Sequence, residues 1–191
     1  LPSEIGAIAE KTIQGLNSML ATQKYESLAN LLASTSYWRD HLGLSHETFT
    51  TLHGSSSVIS FIEQHGPKCN IESFALEEGK APSIANLDPN GTVKCLQAFI
   101  TFGTSTGRGR GVMRLIRDVE NGDQWRIYTL FTTLYELKGF PFMNGHTRPL
   151  HAMNPDLFPE GMSWAEAREQ QRGFVRGPGP TVLIVGKFEK G

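Results

Sequence analysis

The sequence predicts a single α+β domain, with N-terminal helices packed on a curved antiparallel sheet. Two observations carry this. Apolar residues recur at helical spacing through roughly the first third of the chain, then alternate at period two as far as Leu137. Helices segregated from an antiparallel meander define the α+β class. A third observation bounds the domain. Pro141, Pro149, Pro155, Pro159, Pro178 and Pro180, with many Gly and Asn, mark an extended tail. The organisation is therefore 1–140 for the α+β domain and 141–191 for the tail.

The elements follow in order. Ile5, Ile8, Ile13, Leu16 and Leu20 line roughly one face of a first helix. Tyr25, Leu28, Leu31 and Leu32 give a second helical segment. Ser36 is placed to cap a short turn through Trp38, Arg39 and Asp40 into His41 and Leu42, and Ser45 to start another short piece. Val58, Phe61 and Ile62 make Ser55 to Gln64 a helix, stopped by Gly66 and Pro67. Strands are expected at 70–75 and 83–87, then at 93–101 after the Asp88-Pro89-Asn90-Gly91 turn. Arg108 to Arg110 reads as a glycine-rich hairpin, Val112 to Ile116 as a strand, and 120–123 as a turn. Trp125 to Leu137 is the longest strand, rich in Tyr, Ile, Thr and Phe. In the tail, Ser163 with Glu166 three residues on forms a capping box for a helix over 163–171. A terminal strand occupies 181–185.

Composition excludes several classes. A chain of 191 residues is one ordinary domain with room for a substantial core. A net charge of -1 is no polyanion-binding composition, so no nucleic-acid partner is expected. No apolar run reaches the roughly 18 residues of a membrane span, and no leader peptide is visible, so a cytoplasmic protein is expected. Cys69 and Cys95 have no metal-like pair spacing and read as reduced, structural thiols. The six histidines (His41, His46, His53, His65, His146, His151) contain no HExxH arrangement, so no metal is expected.

Two glycine-rich segments invite a nucleotide reading. Gly103 to Gly111 reads GTSTGRGRG. It lacks the Gly-Lys-Ser/Thr ending of a phosphate loop, and no helix follows. Arg108 and Arg110 could hold an anion there, or the segment is a solvated hairpin. Thr181 to Gly191 reads TVLIVGKFEKG. A buried strand followed by Gly186 starts as a dinucleotide fingerprint does, but position 188 is Phe. No bound flavin or other cofactor is expected of this chain.

Four blocks carry a resemblance. They are Tyr37-Trp38-Arg39-Asp40-His41-Leu42 with Glu47 to Gly54 behind it, the strand Trp125 to Leu137 ending in Lys138-Gly139, Trp164 in a segment rich in Glu and Arg, and the TVLIVG strand. In that order, over nearly the whole chain, they resemble the N-terminal region of fungal and bacterial flavin-containing monooxygenase-like proteins. That region resembles a ketosteroid-isomerase-like (SnoaL-like) cone, closed by a strongly curved sheet around one deep pocket. The resemblance implies one of two functions. One is a cofactor-independent tailoring enzyme of microbial secondary metabolism, an isomerase or cyclase acting on a small hydrophobic, oxygenated molecule. The other is a non-catalytic substrate-binding or dimerisation domain of a flavin monooxygenase. It also implies a homodimer formed through the open sheet face.

Within such a pocket the candidate catalytic residues are Arg39, Asp40, Tyr128 and Glu136. Arg39 could bind a carboxylate or stabilise oxyanion charge, or it pairs with Asp40 or Glu136. Asp40 could act as a base if burial raises its pKa, or it is an ordinary helix-end carboxylate. Tyr128 could donate to a carbonyl, or it packs in the core. Glu136 either moves a proton or lies on the solvent face. Candidates for substrate binding are Trp38, His41, Arg114 and Thr132. Tyr128, Thr132 and Glu136 share one face of an unbroken strand, but Tyr128 and Glu136 stand roughly 26 Å apart by strand rise. A bulge would swap the faces.

Overall fold

The computed structural model describes residues 2–119, 122–143 and 162–172. The terminal strand expected at 181–185, and the tail between 144 and 161, lie outside the described residues. The chain divides into two units, Leu1–Phe142 and Met143–Gly191.

The first unit opens with helix α1 (Pro2–Thr22). Its buried stripe is Ala9, Ile13, Leu16 and Met19, at steps of three and four that stay on one face. A short 3-10 helix, Tyr25–Asn30, follows and buries Leu28. Helix α2 (Ser55–Cys69) buries Val58, Phe61, Ile62 and Cys69. It overruns the expected stop at Gly66 and Pro67, because Pro67 falls in the last turn. The helix ends at Asn70, which takes the left-handed conformation (φ 48) and donates its N–H to the Gly66 carbonyl at 3.1 Å.

Seven strands form one sheet: β1 (Leu32–His41), β2 (Phe49–His53), β3 (Phe74–Leu76), β4 (Ser83–Asn86), β5 (Lys94–Gly103), β6 (Gly107–Asp118) and β7 (Gln124–Leu137). The order is β2-β1-β7-β6-β5-β3, with β4 also paired to β5. Every pairing is antiparallel except β1 with β7, which is parallel. This corrects the expected architecture. The α+β class holds, but the sheet is mixed and open, and it is neither strongly curved nor closed into a cone.

The difference traces to β1. Residues 36–42 read as a capped turn, yet 36–41 belong to the strand that joins the meander to β2. Along β1, Ser36, Trp38 and Asp40 are buried while Tyr37 and Arg39 are exposed. The period of two is there, but two of its three buried members are polar, so it carries no hydrophobic signal. A strand paired in parallel with β7 also needs a long crossover, which here runs through β2, α2 and β3 to β6.

One sheet face packs against α1, the 3-10 helix and α2. Trp38, Leu96, Ala98, Ile100, Phe102, Met113, Leu115, Ile127 and Leu130 belong to this core. Each fully buried large side chain contributes about 1.5–3 kcal/mol. Glycines set the fit around Phe102. A Cβ at Gly109 would overlap its ring, and one at Gly43 would meet it at 3.1 Å. Asn17 of α1 closes the β3 backbone: its Nδ2 donates to the Phe74 carbonyl at 2.9 Å, and its Oδ1 accepts from the Phe74 N–H at 2.7 Å.

Within the second unit, helix α3 spans Trp164–Arg172. Its start is the expected capping box. The Ser163 N–H and hydroxyl both donate to Glu166 Oε2, at 2.8 and 2.7 Å, and the Glu166 N–H donates back to Ser163 Oγ at 3.3 Å. The Ser163 hydroxyl, followed by its N–H, lowers the Glu166 pKa.

Candidate functional site

Strand alternation separates the sequence-derived candidates onto two faces. On the helix-covered face, Asp40, Trp38 and Thr132 are all fully buried and joined. Thr132 donates its hydroxyl to Asp40 Oδ1 at 2.5 Å, and Trp38 donates its indole N–H to Thr132 Oγ1 at 2.9 Å. Asp40 Oδ2 accepts the backbone N–H groups of Leu44 and Ser45, each at 3.1 Å. Both carboxylate oxygens are thereby engaged. The network closes the β1–β2 loop, in which Leu42 and His46 sit at positive φ (59 and 57).

Arg39 leaves β1 on the opposite face. Its Nε donates to His41 Nε2 at 2.7 Å and its NH1 to Thr51 Oγ1 at 3.0 Å. His41 packs between Phe49 and Phe131, with ring centroids at 4.6 and 5.0 Å. Arg114 lies on this same uncovered face and donates from Nε to Gln97 Oε1 at 3.0 Å. Tyr128 meets Tyr37 edge-on at 6.0 Å and borders a cavity of about 410 Å³ with Ile116 and Arg117. Glu136 lies near the end of β7, where Oε1 accepts the Phe142 N–H at 3.0 Å and Oε2 is 4.0 Å from Arg108.

The structure thus brings Trp38, Asp40 and Thr132 together, and separately Arg39 with His41. It does not gather Arg39, Asp40, Tyr128 and Glu136 around one point. Two bulges in β7 contribute. Register against β6 jumps between Leu115↔Ile127 and Arg114↔Thr129, leaving Tyr128 unpaired. It jumps again between Gly109↔Leu134 and Arg108↔Glu136, leaving Tyr135 unpaired. The first bulge exchanges the faces, so that Ile127 and then Leu130 and Thr132 point to the core.

The register defines what the uncovered face displays. One cross-strand row reads His53, Tyr37, Thr129, Arg114, Gln97. The next reads Thr51, Arg39, Phe131, Val112, Phe99. A third reads Phe49, His41, Thr133, Arg110, Thr101. Tyr37 stacks on His53 at 4.6 Å, and both Tyr37 and Phe49 are exposed. The sequence offered no grouping of these residues, because they come from five strands.

A groove of about 550 Å³ lies where β5 and β7 end and β6 begins. Its lining includes Glu72, Arg108, Arg110, Tyr135, Glu136 and Lys138. Of these, Arg108 and Arg110 were legible as an anion candidate. The hairpin expected at 108–110 is instead regular strand, which puts both arginines on one face.

Other reactive groups are occupied. Burial pushes the Cys69 thiol up to about 11 and raises Cys95 as well. Asp88 is lowered to about 2, first by the Val93 N–H and then by the Thr92 hydroxyl, which brace its turn. Among the described residues no group of three or more His, Cys, Asp or Glu could hold a metal ion. No described helix is long and apolar enough to cross a membrane.

No family model matches the chain, and no curated protein sequence matches it. Solved structures do. An uncharacterised protein with a cystatin-like fold from Caulobacter vibrioides is 12% identical, covers 70% of this chain and 91% of its own, and superposes with a TM-score of 0.51. A nuclear transport factor 2-like superfamily protein from Salmonella enterica serovar Typhimurium is 12% identical, covering 78% and 100%, with a TM-score of 0.47. ActVI-ORFA from Streptomyces coelicolor is 9% identical, covering 69% and 95%, with a TM-score of 0.45. At these identities the likeness is one of fold alone, and it is to the Caulobacter protein's cystatin-like fold that the chain is similar.

Proposed function

We propose that this chain is a non-catalytic dimerisation domain of a flavin-containing monooxygenase-like protein, with its uncovered sheet face as the contact surface. The observation that carries the reading is the division between the two faces. The covered face is packed, and on it Asp40, Thr132 and Trp38 form a hydrogen-bonded set with no exposed member. The opposite face carries Tyr37, Phe49, Phe131, Val112 and Phe99 in three cross-strand rows over five strands, and the described helices of the first unit pack on the other side. Two of its arginines are already engaged, Arg39 by His41 and Thr51 and Arg114 by Gln97. Such a face can close against a second copy without stranding charge. The flavin monooxygenase context rests on the resemblance of the four sequence blocks. The isomerase or cyclase expectation placed Arg39, Asp40, Tyr128 and Glu136 around one substrate, and Arg39 and Asp40 leave β1 on opposite sides.

Sedimentation velocity tests this. Wild type is expected at twice the chain mass, and Phe131→Asp at the chain mass, with unchanged far-UV circular dichroism. Wild type that stays monomeric up to roughly 100 μM would remove the reading.

A further inference from the structure

The groove lies at one end of the proposed contact face, where Thr101 and Arg110 of its third row meet Glu72, Arg108, Glu136 and Lys138, and it differs from the rest of that face in its charge. Its lining carries three cations, Arg108, Arg110 and Lys138, against two carboxylates, Glu72 and Glu136. Lys138 is paired with Glu72 at 3.1 Å, while the two arginines are weakly held. Arg108 has a side chain 79% exposed, and its nearest carboxylate oxygen, on Glu136, is 4.0 Å away. Arg110 lies 3.7 Å from Glu77, and its guanidinium stands over the Tyr135 ring at 3.6 Å. Tyr135 is the bulged residue of β7, and bulges beside binding sites re-aim a side chain. Here the bulge supplies the ring that supports Arg110.

Arg108 and Arg110 are two residues apart on one strand, so they project from one face about 6.8 Å apart at the backbone. Two guanidinium forks at that spacing can converge on the oxygens of one phosphate, each replacing a long ion contact by charge-assisted hydrogen bonds. The rest of the groove suits a hydroxylated body rather than an apolar one. Ser73 and Thr101 line it, and the second oxygens of Glu72 and Glu136, whose first oxygens accept from Lys138 and the Phe142 N–H, can accept hydroxyl hydrogens. A volume of about 550 Å³ fits a small molecule.

We propose that this groove binds a small sugar phosphate, with the phosphate between Arg108 and Arg110 and the hydroxyls toward Glu72 and Glu136. The test is a titration of the 191-residue chain with glucose 6-phosphate, followed by 1H–15N NMR. Inorganic phosphate, glucose and succinate serve as comparators. Saturable shifts are expected at residues 107–110 and 135–138. Inorganic phosphate should bind more weakly, and glucose not measurably. Arg108→Ala with Arg110→Ala should weaken glucose 6-phosphate binding by roughly tenfold or more. Lys11→Ala with Lys24→Ala removes the same charge from the exposed helical end of the chain and should leave binding intact. Absence of saturable shifts in wild type overturns the site. Equal loss in both double variants reduces it to general charge attraction, which also overturns it. Succinate binding as tightly as glucose 6-phosphate overturns the ligand class. Oligomeric mass is read separately, so loss of the dimer and loss of the groove site are distinguishable.

Discussion

Asp40 stands beside Arg39 in the chain and on the other side of the sheet from it in space. Its carboxylate accepts one hydroxyl and two backbone N–H groups. That is the environment of a loop anchor. Asp40→Asn would remove the charge that one hydroxyl and two backbone N–H groups address, and Thr132→Val would leave the Trp38 indole N–H without its acceptor. Each is expected to lower unfolding free energy by roughly 1–3 kcal/mol, as buried groups lose their partners. The double variant should cost less than the sum, because the groups share one network. Urea titration measures all three, and strict additivity would contradict a coupled network.

At the scale of elements, β6 shows how one strand serves two surfaces. Gly107, Gly109 and Gly111 are buried on the core side, while Arg108, Arg110 and Arg114 occupy the other. The glycines are there for space. A Cβ at 109 would run into the Phe102 ring, which lies across the strand. Gly109→Ala should therefore cost about 1–3 kcal/mol through overpacking, although alanine suits a strand better than glycine. Gly79→Ala is the useful contrast. There a Cβ meets nothing, but φ is +77, so strain rather than crowding would set its cost. Thermal melts with Phe102→Leu added to Gly109→Ala separate the mechanisms: partial recovery of Tm is expected from crowding alone.

At the scale of the whole molecule, packing makes stability depend on alkaline pH through Cys69. Burial holds its thiol at about 11, against 9.0 in the unfolded chain. The unfolded state therefore releases its proton first as pH rises. The stabilisation is fully present below about pH 9 and is lost progressively as pH climbs through about 11. Urea midpoints should fall across that window, and Cys69→Ala should fall less steeply. A residual slope is expected from Cys95, whose thiol burial also raises. Identical slopes in wild type and Cys69→Ala would contradict the assignment.

The helices and most of the strands were legible because each is encoded by its own neighbours in the chain. The stripe of α1, the period of two in β5 and β7, and the Ser163–Glu166 capping box are all local patterns, and each appears where its residues predict it. What the tertiary structure alone decided is everything that depends on partners distant in sequence. Residues 36–41 became a strand because β7, some 90 positions on, supplies hydrogen bonds and Thr132 satisfies Asp40 and Trp38. Which face of β7 meets the core was decided by bulges at Tyr128 and Tyr135, where the register against β6 shifts. The candidate residues were chosen from the right segments, yet alternation across a strand sends neighbours to opposite faces. A site is a property of a face, and faces are assembled from strands that the chain visits out of order.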